Sequence, residues 1–254
     1  MHPILFTFGD LTLTSYTAAR CLSAVIVTVF CLRRGPRRGV SRNTVLDLVC
    51  VSLIGGVIGS RGWNLLLHGS SPLRLDFFRS GGGASVGGLT LALLLIGAYI
   101  VAQRLNFLTI ADALAPGWLL ALALAKIGCF GAGCCYGTAT DSVFGVAFPA
   151  MTRGPFPPGT PLWPTQLFMM DASILGFVLV LWLERYVTFR GATFAMVFAY
   201  YALAVFAVDQ FRYYPPAQIL GRLGPVSFNW NHLFLAGLLA VSGIAWRRGR
   251  RRRF

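Results

Sequence analysis

The chain has 254 residues, 56% of them hydrophobic and only 12% charged, with a mean hydropathy of +0.68. That leaves too little polar surface to wrap a soluble core, so a water-soluble globular domain is excluded. The 22 basic residues against 8 acidic ones, net +14, lie between long apolar runs. They therefore fit anionic lipid and membrane orientation, and no nucleic-acid partner is expected.

The first fourteen residues contain no Lys or Arg, so no cleavable signal peptide is expected there. Seven apolar stretches follow, each long enough to cross about 30 Å of hydrocarbon at 1.5 Å per helical residue. They predict spans at 15–32, 44–66, 84–102, 112–129, 166–183, 191–208 and 227–246. The segment 33–43 carries five Arg and the tail 247–254 six, while 103–111 and 184–190 add Arg104, Arg185 and Arg190. By the positive-inside rule these segments are cytoplasmic. The expectation is a single all-α polytopic domain over 1–254 in a bacterial inner membrane, with the amino terminus periplasmic and the carboxyl terminus cytoplasmic.

Eight basic residues are left outside that rule: Arg20, Arg61, Arg74, Arg79, Lys126, Arg153, Arg212 and Arg222. Any one of them can snorkel to the interface. Several at one membrane face suit an anionic headgroup, because Arg and Lys pair well with phosphate. The outer connections are the elaborate ones: 67–83 reads as an interfacial arm, and 130–165, rich in Gly, Pro and aromatics, as an irregular periplasmic cap.

Three segments stand out. Gly81–Leu89 opens the third span with glycines, including Gly87 and Gly88, that allow close approach of a ligand or of another helix. Lys126-Ile-Gly128-Cys129-Phe-Gly-Ala-Gly133-Cys134-Cys135-Tyr-Gly137 packs four Gly and three Cys into twelve residues where the fourth span emerges. Trp163-Pro164-Thr165-Gln166-Leu167-Phe168 leads into the fifth. His68 and His232 sit at span boundaries, where a lone His is read as interfacial.

In order and topology the chain resembles the bacterial prolipoprotein diacylglyceryl transferase family nearly end to end. The resemblance rests on Met1-His2-Pro3-Ile4-Leu5 with Ser15-Tyr16, on Ile58-Gly59-Ser60-Arg61, and on the Gly87-Gly88-Leu89 entrance. Ala111-Asp112, the Lys126–Gly137 signature, Pro164-Thr165-Gln166-Leu167 and Asp209-Gln210-Phe211-Arg212 continue it. It implies seven spans and transfer of diacylglycerol from phosphatidylglycerol to the lipobox cysteine of a prolipoprotein, with release of glycerol phosphate. Phosphatidylglycerol, or another anionic phospholipid, and the prolipoprotein are thus the expected partners. No cofactor is expected.

Residue by residue, the resemblance makes Lys126, Arg61 and Arg212 phosphate-binding cations and Gly87, Gly88, Gly128, Gly133 and Gly137 a lipid-binding frame. Tyr16 and Asp209 would orient groups or share protons. The chain departs from the family at the chemistry. Val86 stands where the family has His, Lys126 where it has Arg, Cys129 and Ala132 where it has Asn, and Cys134 where it has Glu. Val205 and Asp209 replace an Arg and a Glu. The Cys129, Cys134 and Cys135 group admits a disulfide or packed thiols, a nucleophile at Cys134 or Cys135 in a related lipid or acyl transfer, or a metal site. The metal reading is the least favoured, for want of a fourth ligand. A catalytically silent lipid-binding protein is a further alternative.

Overall fold

A computed structural model describes residues 4–8, 11–68, 85–148 and 155–251. Residues 69–84, and with them Arg74 and Arg79, lie outside this set, as does Arg153. In a chain this apolar, backbone polar groups must be satisfied internally, and seven helices do so among the described residues. They are α1 (Ser15–Arg34), α2 (Arg42–His68), α3 (Ser85–Ala102), α4 (Phe107–Gly131), α5 (Thr165–Leu183), α6 (Ala192–Asp209) and α7 (Trp230–Arg251). Five, namely α1, α2 over Arg42–Trp63, α4, α5 and α6, are long and apolar enough to cross a membrane. In α3 the apolar stretch is Gly87–Ala102.

Three small antiparallel hairpins supplement the helices: β1 (Ile4–Phe8) with β2 (Leu11–Thr14), β3 (Val146–Ala147) with β4 (Pro161–Leu162), and β5 (Ile219–Leu223) with β6 (Val226–Asn229). The last takes up Val226–Asn229, three of whose residues were expected to begin the seventh span, so α7 starts at Trp230.

The chain divides into two compact units. Cys31–Ile110 is built on the α2–α3 pair. There the two backbones touch through small residues: a side chain at Gly59 would run into the Gly87 carbonyl, one at Gly55 would meet the Ala92 Cα at 2.7 Å, and one at Gly88 the Gly56 carbonyl at 2.7 Å. Close backbone approach of this kind holds helices together where burial from water gives no drive.

The second unit, Met1–Phe30 with Ala111–Phe254, has two apolar clusters. Ala115 and Leu119 of α4 meet Val180 of α5 and Val197 of α6. Toward the other end of α6, Met169, Ala202, Val205 and Leu235 pack together. Ser23 of α1 donates to the Ala121 carbonyl at 3.3 Å, and Tyr200 donates across to the Ala172 carbonyl at 2.7 Å. α4 begins earlier than the apolar run suggested, so Asp112 sits within it. Its carboxylate accepts from the Gly191 and Phe194 amides at 2.6 and 2.9 Å and so caps α6, whose first free N–H groups favour an anion.

Candidate functional site

The signature segment is a helix end with a specific geometry. After α4 the Cys134 amide donates to the Cys129 carbonyl at 3.1 Å and the Gly133 amide to the Phe130 carbonyl at 3.2 Å. Gly133 adopts the left-handed conformation, φ +67°. These two bonds with a left-handed glycine form a Schellman motif, which brings the side chains on either side of the cap together. Here those side chains are Cys129 and Cys134. Cys135 then takes φ +62° itself, a strained choice for a residue with a Cβ. The outcome is that all three sulfurs lie within 4.8 Å of one another, each a free thiol, with Cys129 buried and the other two half-buried.

The loop is anchored from two directions. Gln166 Nε2 and Thr165 Oγ1 donate to the Cys134 and Cys135 carbonyls, both at 2.7 Å. This explains Pro164-Thr165-Gln166, which alone marked little more than a helix start: the two residues after the proline hold the thiol-bearing backbone. The Gly137 amide donates to the Trp163 carbonyl at 2.8 Å and that of Thr138 to the Phe211 carbonyl at 2.9 Å. Gly137 pairs with Arg212 across this bridge, and a Cβ at 137 would strike the Phe211 carbonyl.

Two cations act on the thiols. Lys126, half-buried on the preceding turn of α4, and Arg212 both act electrostatically on Cys135. The thiols of Cys129 and then Cys134, bonded to the Cys135 sulfur, hold Cys135 well below its ordinary thiol range, helped by Arg212 and Lys126 against the opposing effect of burial. Cys134 is pushed up, because its hydrogen bonds with Cys129 and Cys135 favour the protonated form. The cluster therefore gives up its first proton at Cys135.

Asp209, buried at the end of α6, faces Arg212 Nη1 at 3.9 Å. Its other oxygen accepts from Asn231 Nδ2 at 2.9 Å and lies 3.6 Å from His232 Nε2. His232 is thus not the interfacial residue its position suggested: it is buried, and its Nδ1 accepts from the Asn229 amide at 3.3 Å. The sequence signal for this group was the polar run Asn229-Trp-Asn231-His232 at a helix entrance, where an apolar start was expected.

Tyr16 stands at the first turn of α1, whose backbone lies against Gly128: a Cβ there would be 3.1 Å from the Tyr16 Cα. Arg20 Nη1 donates to the Tyr16 hydroxyl at 2.7 Å. So Tyr16, Lys126, Gly128, Gly133, Cys134, Cys135, Gly137, Asp209 and Arg212 all belong to one unit. Arg61, Gly87 and Gly88 belong to the other. In that unit Gly87 and Gly88 are buried against α2 and form part of the packing of the helix pair. Val205 is part of an apolar cluster.

The sequence model of the family described as "Prolipoprotein diacylglyceryl transferase" matches residues 3–246. The chain belongs to the prolipoprotein diacylglyceryl transferase family. Among relatives, "Phosphatidylglycerol--prolipoprotein diacylglyceryl transferase 2" of Clostridium perfringens is 29% identical over 248 residues, 94% of each chain. "Phosphatidylglycerol--prolipoprotein diacylglyceryl transferase" of Geobacter sulfurreducens is 31% identical over 237 residues, 89% of this chain and 88% of its own. A Clostridium tetani protein of the same name is 28% identical over 232 residues. For a member of the transferase family, the arrangement brings one thiol-rich turn and two cations to the end of α4. That pairing suits sulfur chemistry beside a phosphate.

Proposed function

We propose that the protein transfers the diacylglyceryl group of phosphatidylglycerol to the lipobox cysteine of prolipoproteins, at the outer leaflet of a bacterial inner membrane. The reading takes all seven helices as spans of one domain, the amino terminus periplasmic and the carboxyl terminus cytoplasmic. In the reaction the acceptor's thiolate attacks the glyceryl carbon, a C–S bond forms, and the bond between that carbon and the phosphate oxygen breaks. Its electron pair leaves with glycerol phosphate.

The observation that carries the proposal is the loop that bears the family signature, bridged to Arg212 through Gly137, with Lys126 and Arg212 both acting electrostatically on its Cys135. Lys126 and Arg212 bind the headgroup phosphate and stabilise the charge that grows on it as it leaves. Asp209, itself fixed by Asn231, holds the Arg212 guanidinium. Tyr16 lies one helix away and orients the reactants. Gly128, Gly133 and Gly137 shape the turn. Arg61, on the α2–α3 unit, is assigned to phospholipid on the family motif alone; Gly87 and Gly88 serve by setting that helix pair. Cys134 and Cys135 belong to the reacting centre.

The test is direct. Purified protein, phosphatidylglycerol vesicles and a lipobox peptide are incubated together, and mass spectrometry looks for a diacylglyceryl group on the peptide's cysteine. Absence of the product, with an active family member transferring under the same conditions, removes the proposal.

A further inference from the structure

Three sulfurs from two turns of one chain, gathered within 4.8 Å, ask for a common partner. A zinc ion held tetrahedrally at about 2.3 Å from each sulfur spaces its ligands about 3.8 Å apart, so small side-chain rotations suffice. The backbone is arranged for this gathering. The Schellman turn puts Cys134 beside Cys129, and adjacent residues would ordinarily point apart. The left-handed Cys135 turns the third sulfur back to the first two, at a strain that Gly or Asn would have avoided. Packing alone gives no reason to place a Cβ at that φ.

We propose that Cys129, Cys134 and Cys135 bind one zinc ion as a three-thiolate centre whose fourth position receives the acceptor's cysteine thiolate. The missing fourth protein ligand, which counts against a structural zinc site, is what a catalytic one requires: such sites keep one position open for water or substrate. A metal-bound thiol is deprotonated outright, so the ion converts the acceptor Cys into the nucleophile with no dedicated base. Its proton leaves on coordination and ends on the departing phosphate monoester; the sulfur then attacks the glyceryl carbon and the C–O bond breaks. No oxidant or reductant takes part.

Charge points the same way. A dication with three thiolates carries −1, and binding a fourth thiolate brings it to −2, an assembly that needs cations close by. Lys126 and Arg212 are within electrostatic range of Cys135. They offset that charge while also facing the phosphate. A monovalent soft ion such as Cu(I) would be satisfied by three thiolates and would leave the acceptor unactivated, so zinc is the ion that fits the proposed reaction. The assignment of the fourth position rests on the transfer reaction proposed above; the metal site itself does not.

The experiment uses the full chain in detergent, reduced, stripped with a chelator and titrated with Co(II) and then Zn(II). About one ion per chain is expected, with thiolate-to-cobalt charge-transfer absorption that zinc abolishes. X-ray absorption on the zinc form should find three sulfurs. A fourth should appear when a lipobox peptide is added, and not when its Cys is replaced by Ser. Cys129→Ser, Cys134→Ser and Cys135→Ser should each weaken zinc binding by more than the roughly 10–100-fold that an outer-shell change costs, with folding followed separately by thermal melting. The wild-type titration needs no variant and decides the site by itself. No stoichiometric zinc, a preference for Cu(I) alone, or a disulfide among these residues in protein taken unreduced from membranes overturns the site. Zinc with an unchanged sulfur count on adding peptide, or equal transfer by the stripped and loaded forms, overturns the role of the fourth position. If neither form transfers lipid, the transferase reading falls while the metal titration still stands on its own.

Discussion

Cys129 and Cys134 are the two ends of one capping motif: the Cys134 amide donates to the Cys129 carbonyl at 3.1 Å, and the Cys134 thiol reaches the same carbonyl oxygen at 3.6 Å. The turn that ends α4 is therefore also the turn that assembles the thiol cluster. Changes to the cap and changes to the chemistry should be separable only if they are made at different atoms.

Gly133→Ala tests the cap. A Cβ there meets only the Phe148 ring, at 3.8 Å, so space is available and the cost is the left-handed backbone, about 1–2 kcal/mol. Thermal melting in detergent should register that loss, and cluster formation should weaken with it. An unchanged melting temperature would show that the turn relaxes freely.

Lys126→Met keeps most of the apolar stem and removes the cation. A charge-assisted bond to phosphate contributes about 1.5–3 kcal/mol, so diacylglyceryl transfer should fall by roughly one to two powers of ten. Lys126→Arg should be tolerated. Full activity in the Met variant would mean that Lys126 only extends toward the interface.

Removal of the Asp209 carboxylate leaves Asn231 without its acceptor and takes one negative neighbour from Arg212. Asp209→Ala should cost about 1.5–3 kcal/mol of stability. Asp209→Asn should retain the Asn231 bond and recover part of it. Equal melting temperatures for the two variants would show that the carboxylate contributes little to the fold.

Cys135 ionises below the ordinary thiol range and Cys134 above it, and only thiolates alkylate readily. At mildly acidic pH, metal-stripped protein should therefore take up iodoacetamide first at Cys135. Mapping by mass spectrometry at short times checks the order. Preferential labelling of Cys134 would reverse the assignment.

Orientation can be tested without any activity. A reporter active only in the periplasm should work when fused near residue 150 and fail when fused after residues 38, 188 or 250, where the Arg-bearing segments lie. Activity at 188 would mean that α5 and α6 are paired the wrong way round.

Most helix limits were legible because charged or Gly-rich segments bound the apolar runs. The stretch read as 166–183 is Thr165–Leu183, and 191–208 is Ala192–Asp209. The misses share a cause, namely that backbone need not follow hydropathy. α4 begins at Phe107, in what reads as a loop, and α7 continues through Arg247 and Arg248 to Arg251, because long basic side chains leave a helix for water without ending it. The nearness of Cys129 to the adjacent pair was visible in the Gly-rich spacing. The conformation of Cys135 was not, since nothing in a sequence announces a left-handed cysteine. Nor was the Asp209–His232 approach, because the β5–β6 hairpin that returns the chain to Asp209 carries only a weak alternation.

The division of the chain into units has a consequence for synthesis. The unit that holds the candidate site is discontinuous, Met1–Phe30 with Ala111–Phe254, and Cys31–Ile110 interrupts it. As the protein emerges from the ribosome, the Met1–Phe30 part must wait for 80 residues to be made before the rest of its unit begins at Ala111, roughly 4–16 s at ordinary elongation rates. The interrupting segment is contiguous and its α2–α3 pair closes on itself through glycine contacts. It can therefore assemble in the bilayer during that interval, while Tyr16 and Ala19 wait for the helix that carries Gly128.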